Sequence, residues 1–198
     1  GVVAIAADSV VVLDNRLGRL TVFTPSGYLA RTIDVARFLP PQRGARLHIA
    51  AEGFWLVGIA TLAGGKSQGV NRHAAETYRL SAVGDSLATY GPYSGAEVFL
   101  SQRLSGGLPF GATLVSGARG GRLILGQERA PELMEVTTTG QLARIVRWPD
   151  RDREVSPERA RAYAEFQVDA LPEAAREQLG SVLRDLPYAP VAPAYHNL

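Results

Sequence analysis

Short apolar runs with an alternating polar pattern recur along the chain, and one phrase returns in altered form. The stretch RLTVFTPSGYLARTI at positions 19–33 comes back as TYRLSAVGDSLATY from position 77 and as LMEVTTTGQLARIV from position 133. Each version contains two runs in which apolar, β-branched or aromatic residues alternate with polar ones, which is typical of half-buried strands. The phrase therefore predicts three β-hairpins of the same kind.

A glycine separates the two runs of every hairpin. These glycines are Gly27, Gly84 and Gly140, so the repeats are spaced by 57 and then by 56 residues. Glycine adopts a positive φ without steric cost, and tight hairpin turns require that conformation. The regular spacing indicates a structural repeat rather than three unrelated hairpins.

Another pair of apolar runs precedes each hairpin. These pairs are VVAIAA and SVVVLD, then RLHIAA and FWLVGIATL, then ATLVSGA and RLILGQ. A four-stranded antiparallel unit that repeats at this period is typical of a β-propeller blade. We therefore predict an all-β fold with three blades, at about 2–35, 46–92 and 111–148, that form an incomplete ring. A β-sandwich is the alternative, but a sandwich has no reason to repeat its sequence at a fixed period.

Several of these phrases resemble bacterial six-bladed β-propeller proteins, relatives of the NHL-repeat and TolB-like propellers. The resemblance is carried by VFTPSGYLARTI, ETYRLSAVGDSLATYGPYSGAEVF and LMEVTTTGQLARIVRWPDRDREVSPERARAY. It implies a scaffold, often exported to the periplasm or cell envelope, with no single activity shared by the family. The final LPYAPVAPAYHNL resembles the run-in to a further blade. Residues 1–149 are thus assigned to the three blades and residues 188–198 to this run-in.

The segment 150–187 departs from the strand pattern and predicts a helical hairpin inserted between blades. Ser156 is placed as an N-cap, with Pro157 at the first helical position. A second helix is expected from Pro172, because the apolar residues of 175–186 recur at the spacing of one buried helix face. We expect this face to pack against a blade, with a lid or a docking surface as the alternative role of the insertion.

Composition excludes some classes of function and leaves others open. The chain has 46% hydrophobic residues, 20% charged residues and no cysteine, so neither a disulfide framework nor a thiolate metal site is available. No apolar run approaches the roughly 20 residues of a membrane span. The net charge of +2 fits nucleic-acid binding poorly, although residues 1–149 hold 15 basic and 10 acidic residues.

One arginine recurs at nearly the same point of each predicted blade. Arg16 and Arg129 each lie 11 residues before their turn glycine, and Arg72 lies 12 residues before its own. In a propeller, the loops that join the second and third strands of each blade gather on one face. We therefore hypothesise that the three guanidinium groups bind a small anionic ligand or an acidic protein surface. Three independently solvated arginines are the alternative interpretation.

Other motifs do not satisfy the chemistry that they suggest. ATLAGGKSQG has Ala60 where a phosphate-binding loop needs glycine, so we interpret it as a loop between the second and third strands of the middle blade. Asp150, Asp152 and Glu154 alternate as in a calcium loop, but the required glycine and bidentate glutamate are missing. These acids are expected to stabilise a helix N-terminus instead.

The sequence provides no recognisable catalytic set. The three histidines are far apart in the chain, and His48 is expected to be packed or half-exposed in a strand. Trp55 and Phe54 are interpreted as blade core, whereas Glu52, Glu97 and Glu128 are carboxylates that folding can bring together. We assign no catalytic residue, metal ligand or cofactor. The chain is interpreted as a non-catalytic propeller scaffold, and the alternative is a metal-dependent, lactonase-like hydrolase with its site in the central channel.

Overall fold

Three antiparallel sheets follow one another along the chain, and two α-helices follow the last sheet. The structure is a computed structural model that describes residues 2–6, 8–39, 45–50, 52–59, 68–102 and 105–195. The prediction of three consecutive antiparallel sheets with a pair of helices behind them is confirmed. The stretch around Lys66, predicted to be a loop, lies outside the described residues, as do residues 196–198 of the predicted run-in.

The first and third sheets each have four strands in chain order. Sheet A contains β1 (Val2–Ala6), β2 (Ser9–Asp14), β3 (Arg19–Phe23) and β4 (Leu29–Asp34). Sheet C contains β10 (Leu114–Arg119), β11 (Arg122–Gln127), β12 (Glu132–Val136) and β13 (Leu142–Arg147). A single turn of 3₁₀-helix at Ala36–Phe38 follows β4.

The middle sheet is larger than predicted. Sheet B contains β5 (Ala45–Ala50), β6 (Gly53–Ile59), β7 (Gly69–Leu80), β8 (Ser86–Leu100) and a fifth strand, β9 (Ser105–Gly107). The pairing of β7 with β8 shifts register at three places, as β-bulges do when they bend long strands. This unit was predicted to end near residue 92. In the structure Gly91, at φ 117°, continues the strand instead.

The turn glycines behave as predicted from the repeat. Gly27, Gly84 and Gly140 have φ angles of 82°, 96° and 79°, in the region where side chains are disfavoured. Around each turn the backbone closes in the same way, with Gly27 N, Gly84 N and Gly140 N each donating to the carbonyl three residues earlier. The recurring phrase thus specifies a recurring backbone conformation.

Both faces of sheet B are buried, one against each neighbouring sheet. Along β6, Phe54 and Leu56 join the apolar cluster shared with sheet A, whereas Trp55 and Val57 join the cluster shared with sheet C. Side chains alternate across a strand, so a strand covered on both faces is continuously apolar. This explains the unbroken run FWLV and confirms the assignment of Phe54 and Trp55 to the core.

The first strands of the three sheets lie side by side. Strand β5 contacts β1 on one side and β10 on the other. The sheets therefore meet both through their faces and through their first strands, and sheet B occupies the middle position.

The two helices pack against each other and leave much of their surface exposed. α1 spans Pro157–Asp169 and α2 spans Glu173–Arg184. The N-cap prediction is confirmed, since Ser156 Oγ accepts a hydrogen bond from Arg159 N at 3.3 Å. The expected burial of the α2 stripe against a sheet is wrong, because Leu179 is 36% exposed and Gly180 is the buried residue of that helix. α2 packs mainly against α1, so its apolar stripe is only partly covered.

None of the described helices is both long and apolar enough to span a membrane.

Candidate functional site

The structure separates the three arginines predicted to form a site into a pair and a single residue. Arg16 lies exposed in the turn between β2 and β3, where its backbone N–H donates to Asp14 Oδ1 at 3.0 Å. Arg129 lies in the turn between β11 and β12, as expected. Arg72 was expected in the corresponding loop of the middle sheet, but it lies within β7. That expectation is wrong because β7 begins at Gly69, well before the stretch that was predicted to be a strand.

Arg72 and Arg129 converge on one carboxylate. Arg72 Nη2 donates to Glu97 Oε1 at 2.6 Å, and Arg129 Nη2 donates to the same oxygen. Glu97 is buried, with its side chain 5% exposed, whereas the side chains of Arg72 and Arg129 are 37% and 60% exposed. This group, called the Glu97 cluster, connects sheet B to the turn of sheet C that carries Arg129.

The Glu97 carboxylate is ionised in this environment. Burial alone would raise its pKa, but hydrogen bonds from Arg129, Arg72 and Ala112 N oppose this effect, and the pKa lies below its ordinary value. At neutral pH the Glu97 carboxylate therefore carries its negative charge between two guanidinium groups.

The loop between β9 and β10 positions two buried carboxylates. Ala112 N donates to Glu97 Oε2 at 2.9 Å, and Thr113 N donates to Glu128 Oε2 at 3.0 Å. Glu97 and Glu128 were among the carboxylates that folding was expected to be able to bring together, and these two line one cleft. Glu52 is exposed in the turn before β6 and does not line it.

An open cleft of about 370 Å³ lies next to the Glu97 cluster. Its charged lining residues are Glu97, Glu128, Arg129, Asp150 and Arg153, and its apolar side is formed by Ala112 and the segment 189–193. No sequence pattern predicted residues 150–153 and 189–193 at this place, since strand pairing does not connect them to sheet B.

Arg153 fixes the far side of this cleft. Its Nε donates to Asp150 Oδ1 at 2.8 Å, Nη1 donates to the carbonyl of Ala192 at 2.6 Å, and Nη2 donates to the carbonyl of Arg129 at 3.0 Å. Asp150 was noted as part of a calcium-like pattern, and instead it holds an arginine. One guanidinium thereby connects the turn with Arg129, the start of the helical segment and the C-terminal stretch.

A second polar contact joins the first strands of sheets B and C. His48 Nε2 and Ser116 Oγ are 2.9 Å apart, and Ser116 is buried. Burial, with a smaller contribution from the charge of Arg46, lowers the pKa of His48 to about 4. The half-buried imidazole is therefore neutral at neutral pH.

Further polar groups lie buried on the same face of sheet B. The Arg79 guanidinium donates to the carbonyl of Leu80 at 2.7 Å and lies 5.5 Å from the ring of Trp55. Within the part of the chain that the structure describes, Trp55 Nε1 and Thr77 Oγ1 are buried without a hydrogen-bond partner. Sequence reasoning missed this set because an arginine and a threonine fit the ordinary polar positions of an alternating strand.

Among the described residues, no three histidine or acidic side chains lie close enough to share a metal ion.

Comparisons with known proteins return little. No protein-family model matches the chain, and no curated protein matches it. Among solved structures, the chain is similar to a streptogramin B lyase, with 14% identity over 81% of this chain and 70% of the other, at a TM-score of 0.26.

Proposed function

We propose that the chain is part of a β-propeller that acts as a non-catalytic binding scaffold, and that its ligand carries an anionic group bound by Arg72 and Arg129. Three observations support the propeller arrangement: the strands of each sheet follow chain order, the first strands of neighbouring sheets are in contact, and sheet B is covered on both faces.

The turn glycines support the same arrangement. A Cβ added at Gly84 would overlap Ile33 of sheet A, and one added at Gly140 would overlap Tyr90 of sheet B. The hairpin turn of each later sheet thus packs on the fourth strand of the sheet before it. The same relation between consecutive units is expected for successive blades.

The observation that carries the binding proposal is the sharing of one Glu97 oxygen by two partly exposed arginines. Each guanidinium has five N–H donors, and Glu97 takes only one hydrogen bond from each. The remaining donors of Arg129, and some of those of Arg72, are free to bind a carboxylate or phosphate in the bidentate geometry that arginine favours.

Titration calorimetry at low ionic strength with succinate and with inorganic phosphate tests this proposal. We expect the Arg129→Gln variant to raise the Kd at least about tenfold, since a charge-assisted hydrogen bond contributes roughly 1.5 kcal/mol or more. The matched control is Arg144→Gln, which removes an exposed arginine from the carboxylate of Glu135. An unchanged Kd in Arg129→Gln, with an unchanged unfolding midpoint, would overturn the proposal.

The Arg16→Gln variant tests whether the site has two arginines or the three predicted from the sequence. With the ligand held by Arg72 and Arg129, we expect Arg16→Gln to bind both anions as the parent protein does. A weakened affinity in this variant would extend the site to sheet A.

A further inference from the structure

The cleft beside Arg129 offers charges of both signs to a ligand. Glu97, Glu128 and Asp150 line it together with Arg129 and Arg153, so acidic groups outnumber basic ones among its lining residues. A ligand with only negative charge would gain from Arg129 and meet repulsion from the nearby carboxylates.

Two of these charged groups are exposed enough to meet a ligand, although Asp150 is also paired with Arg153 through both carboxylate oxygens. Arg153 is 13% exposed at its side chain and already donates to Asp150 and to the carbonyls of Ala192 and Arg129. Glu97 and Glu128 are 6% and 2% exposed and accept backbone N–H groups of the neighbouring loop. The exposed groups are therefore Arg129, at 60%, and Asp150, at 51%.

Arg153 connects the backbone of Arg129 to the side chain of Asp150. Arg153 Nη2 donates both to the carbonyl of Arg129 at 3.0 Å and to Asp150 Oδ2 at 2.8 Å. One guanidinium group therefore bridges the backbone of the cationic residue and the side chain of the anionic one. The cleft is thus lined by one exposed positive group and one exposed negative group.

The remaining side of the cleft is apolar and anchored. It consists of Ala189, Pro190, Val191, Ala192 and Pro193. Two backbone hydrogen bonds hold this segment, called the strap. Ala189 N donates to the carbonyl of Pro109, and Ala192 N donates to the carbonyl of Arg153. An apolar surface beside a few convergent polar groups is the usual composition of a small-molecule site.

We propose that this cleft binds a small zwitterion, an amino acid with an apolar side chain. Its carboxylate pairs with the Arg129 guanidinium, its ammonium group pairs with the Asp150 carboxylate, and its side chain lies on the strap 189–193. The proposal rests on the proposed function, because the same Arg129 receives the anionic group. To the proposed function it adds that the ligand also carries a cationic group and is a small molecule.

Titration calorimetry with three probes tests the assignment. One probe carries both charges, and each of the other two lacks one of them. The probes are L-leucine, N-acetyl-L-leucine, which lacks the cation, and L-leucinamide, which lacks the anion. We expect leucine to bind at least about tenfold more tightly than either of the other two. In Asp150→Asn, the affinity for leucine should fall to that for N-acetyl-leucine, while the affinity for N-acetyl-leucine stays the same or rises.

The outcomes separate this inference from the proposed function. If N-acetyl-leucine binds as tightly as leucine and loses affinity in Arg129→Gln, the cleft is an anion site and the zwitterion assignment is wrong. If neither leucine compound binds, the zwitterion assignment fails, and the proposed function is decided separately by the binding of succinate and phosphate. Because Asp150 also holds Arg153, Asp150→Glu serves as a second variant that keeps the charge, and it should retain the preference for leucine over N-acetyl-leucine. Loss of that preference in Asp150→Glu would overturn the role of the carboxylate charge.

Discussion

The two interfaces of sheet B have the same architecture and different chemistry. The interface with sheet A is an apolar cluster that includes Leu13, Leu20 and Leu56, all fully buried, and a contact between the rings of Phe38 and Tyr78 at 5.1 Å. The interface with sheet C contains apolar residues too, but it also holds the hydrogen bond between His48 and Ser116 and the Arg79 guanidinium over Trp55. The Glu97 cluster lies at its margin.

The buried charged and polar side chains described above thus lie at the interface of sheet B with sheet C. Burial of apolar surface stabilises both interfaces in the same way. Buried charged and polar groups bring a desolvation cost and are weak evidence for stability. The interface with sheet C holds the titratable His48 and the charged Arg79. Between pH 4 and 7 the interface of B with C should therefore respond to pH, whereas the interface of A with B should not.

The largest expected effect is a loss of stability on acidification, which originates from His48. Its pKa falls from 6.5 to about 4 on folding, so the unfolded chain binds a proton at a pH where the folded protein does not. This contribution is complete above pH 6.5, decreases as the pH falls, and is lost near pH 4. It amounts to about 3 kcal/mol.

Urea unfolding at a series of pH values measures this contribution, and His48→Gln is the matched variant. The slope of stability between pH 6.5 and 4.5 should be smaller in His48→Gln than in the parent protein. Equal slopes would mean that the interface between B and C is no more sensitive to pH than the rest of the molecule.

The next effect compares equivalent turns that do and do not pack on a preceding sheet. Gly140→Ala should cost about 2–3 kcal/mol, because the added Cβ overlaps the Tyr90 ring in addition to adopting a positive φ. Gly27→Ala should cost only about 1 kcal/mol, because nothing lies within 4 Å of its Cβ. Equal losses in thermal or urea unfolding would contradict the contact between the turn of sheet C and sheet B.

The smallest effect compares two carboxylates that each accept two arginines. Glu97 connects two sheets and is buried, whereas Glu135 pairs with Arg122 and Arg144 on sheet C, and both arginines are more than half exposed. Glu97→Gln should cost about 2 kcal/mol, since it leaves two guanidinium groups beside a buried neutral amide. Glu135→Gln should cost less than about 1 kcal/mol.

The salt dependence of the stability of these two variants tests the same comparison further. Raising the ionic strength to about 1 M screens exposed charges strongly and buried ones much less. The difference between Glu135→Gln and the parent protein should then disappear, and the difference for Glu97→Gln should largely remain. Loss of both differences would show that the Glu97 cluster is an ordinary surface ion pair.

Local structure was accessible from the sequence wherever the chain alone specifies it. The period-two alternation of apolar residues predicted the strands of sheets A and C, and glycines at a constant spacing predicted their turns, because side-chain direction and φ depend on near neighbours. Ser156 and Pro157 marked the start of α1 for the same reason. Long β7 and β8 were not predicted, because Gly91-Pro92 is locally a turn signal and only pairing across the bulges keeps the strands continuous.

What joins residues distant in the chain was decided by the tertiary structure. The sequence placed Arg16, Arg72 and Arg129 at similar points of a repeat, yet only Arg72 and Arg129 meet, because their common partner Glu97 lies between them in space. Their convergence depends on the bend of β7 and β8 and on the loop that holds Glu97 through Ala112 N. The sequence by itself thus determined the strands, the turns and the repeat, since these follow from local conformational preference. The pairing of charges across the sheets was determined only when packing fixed which side chains face each other and removed water from between them.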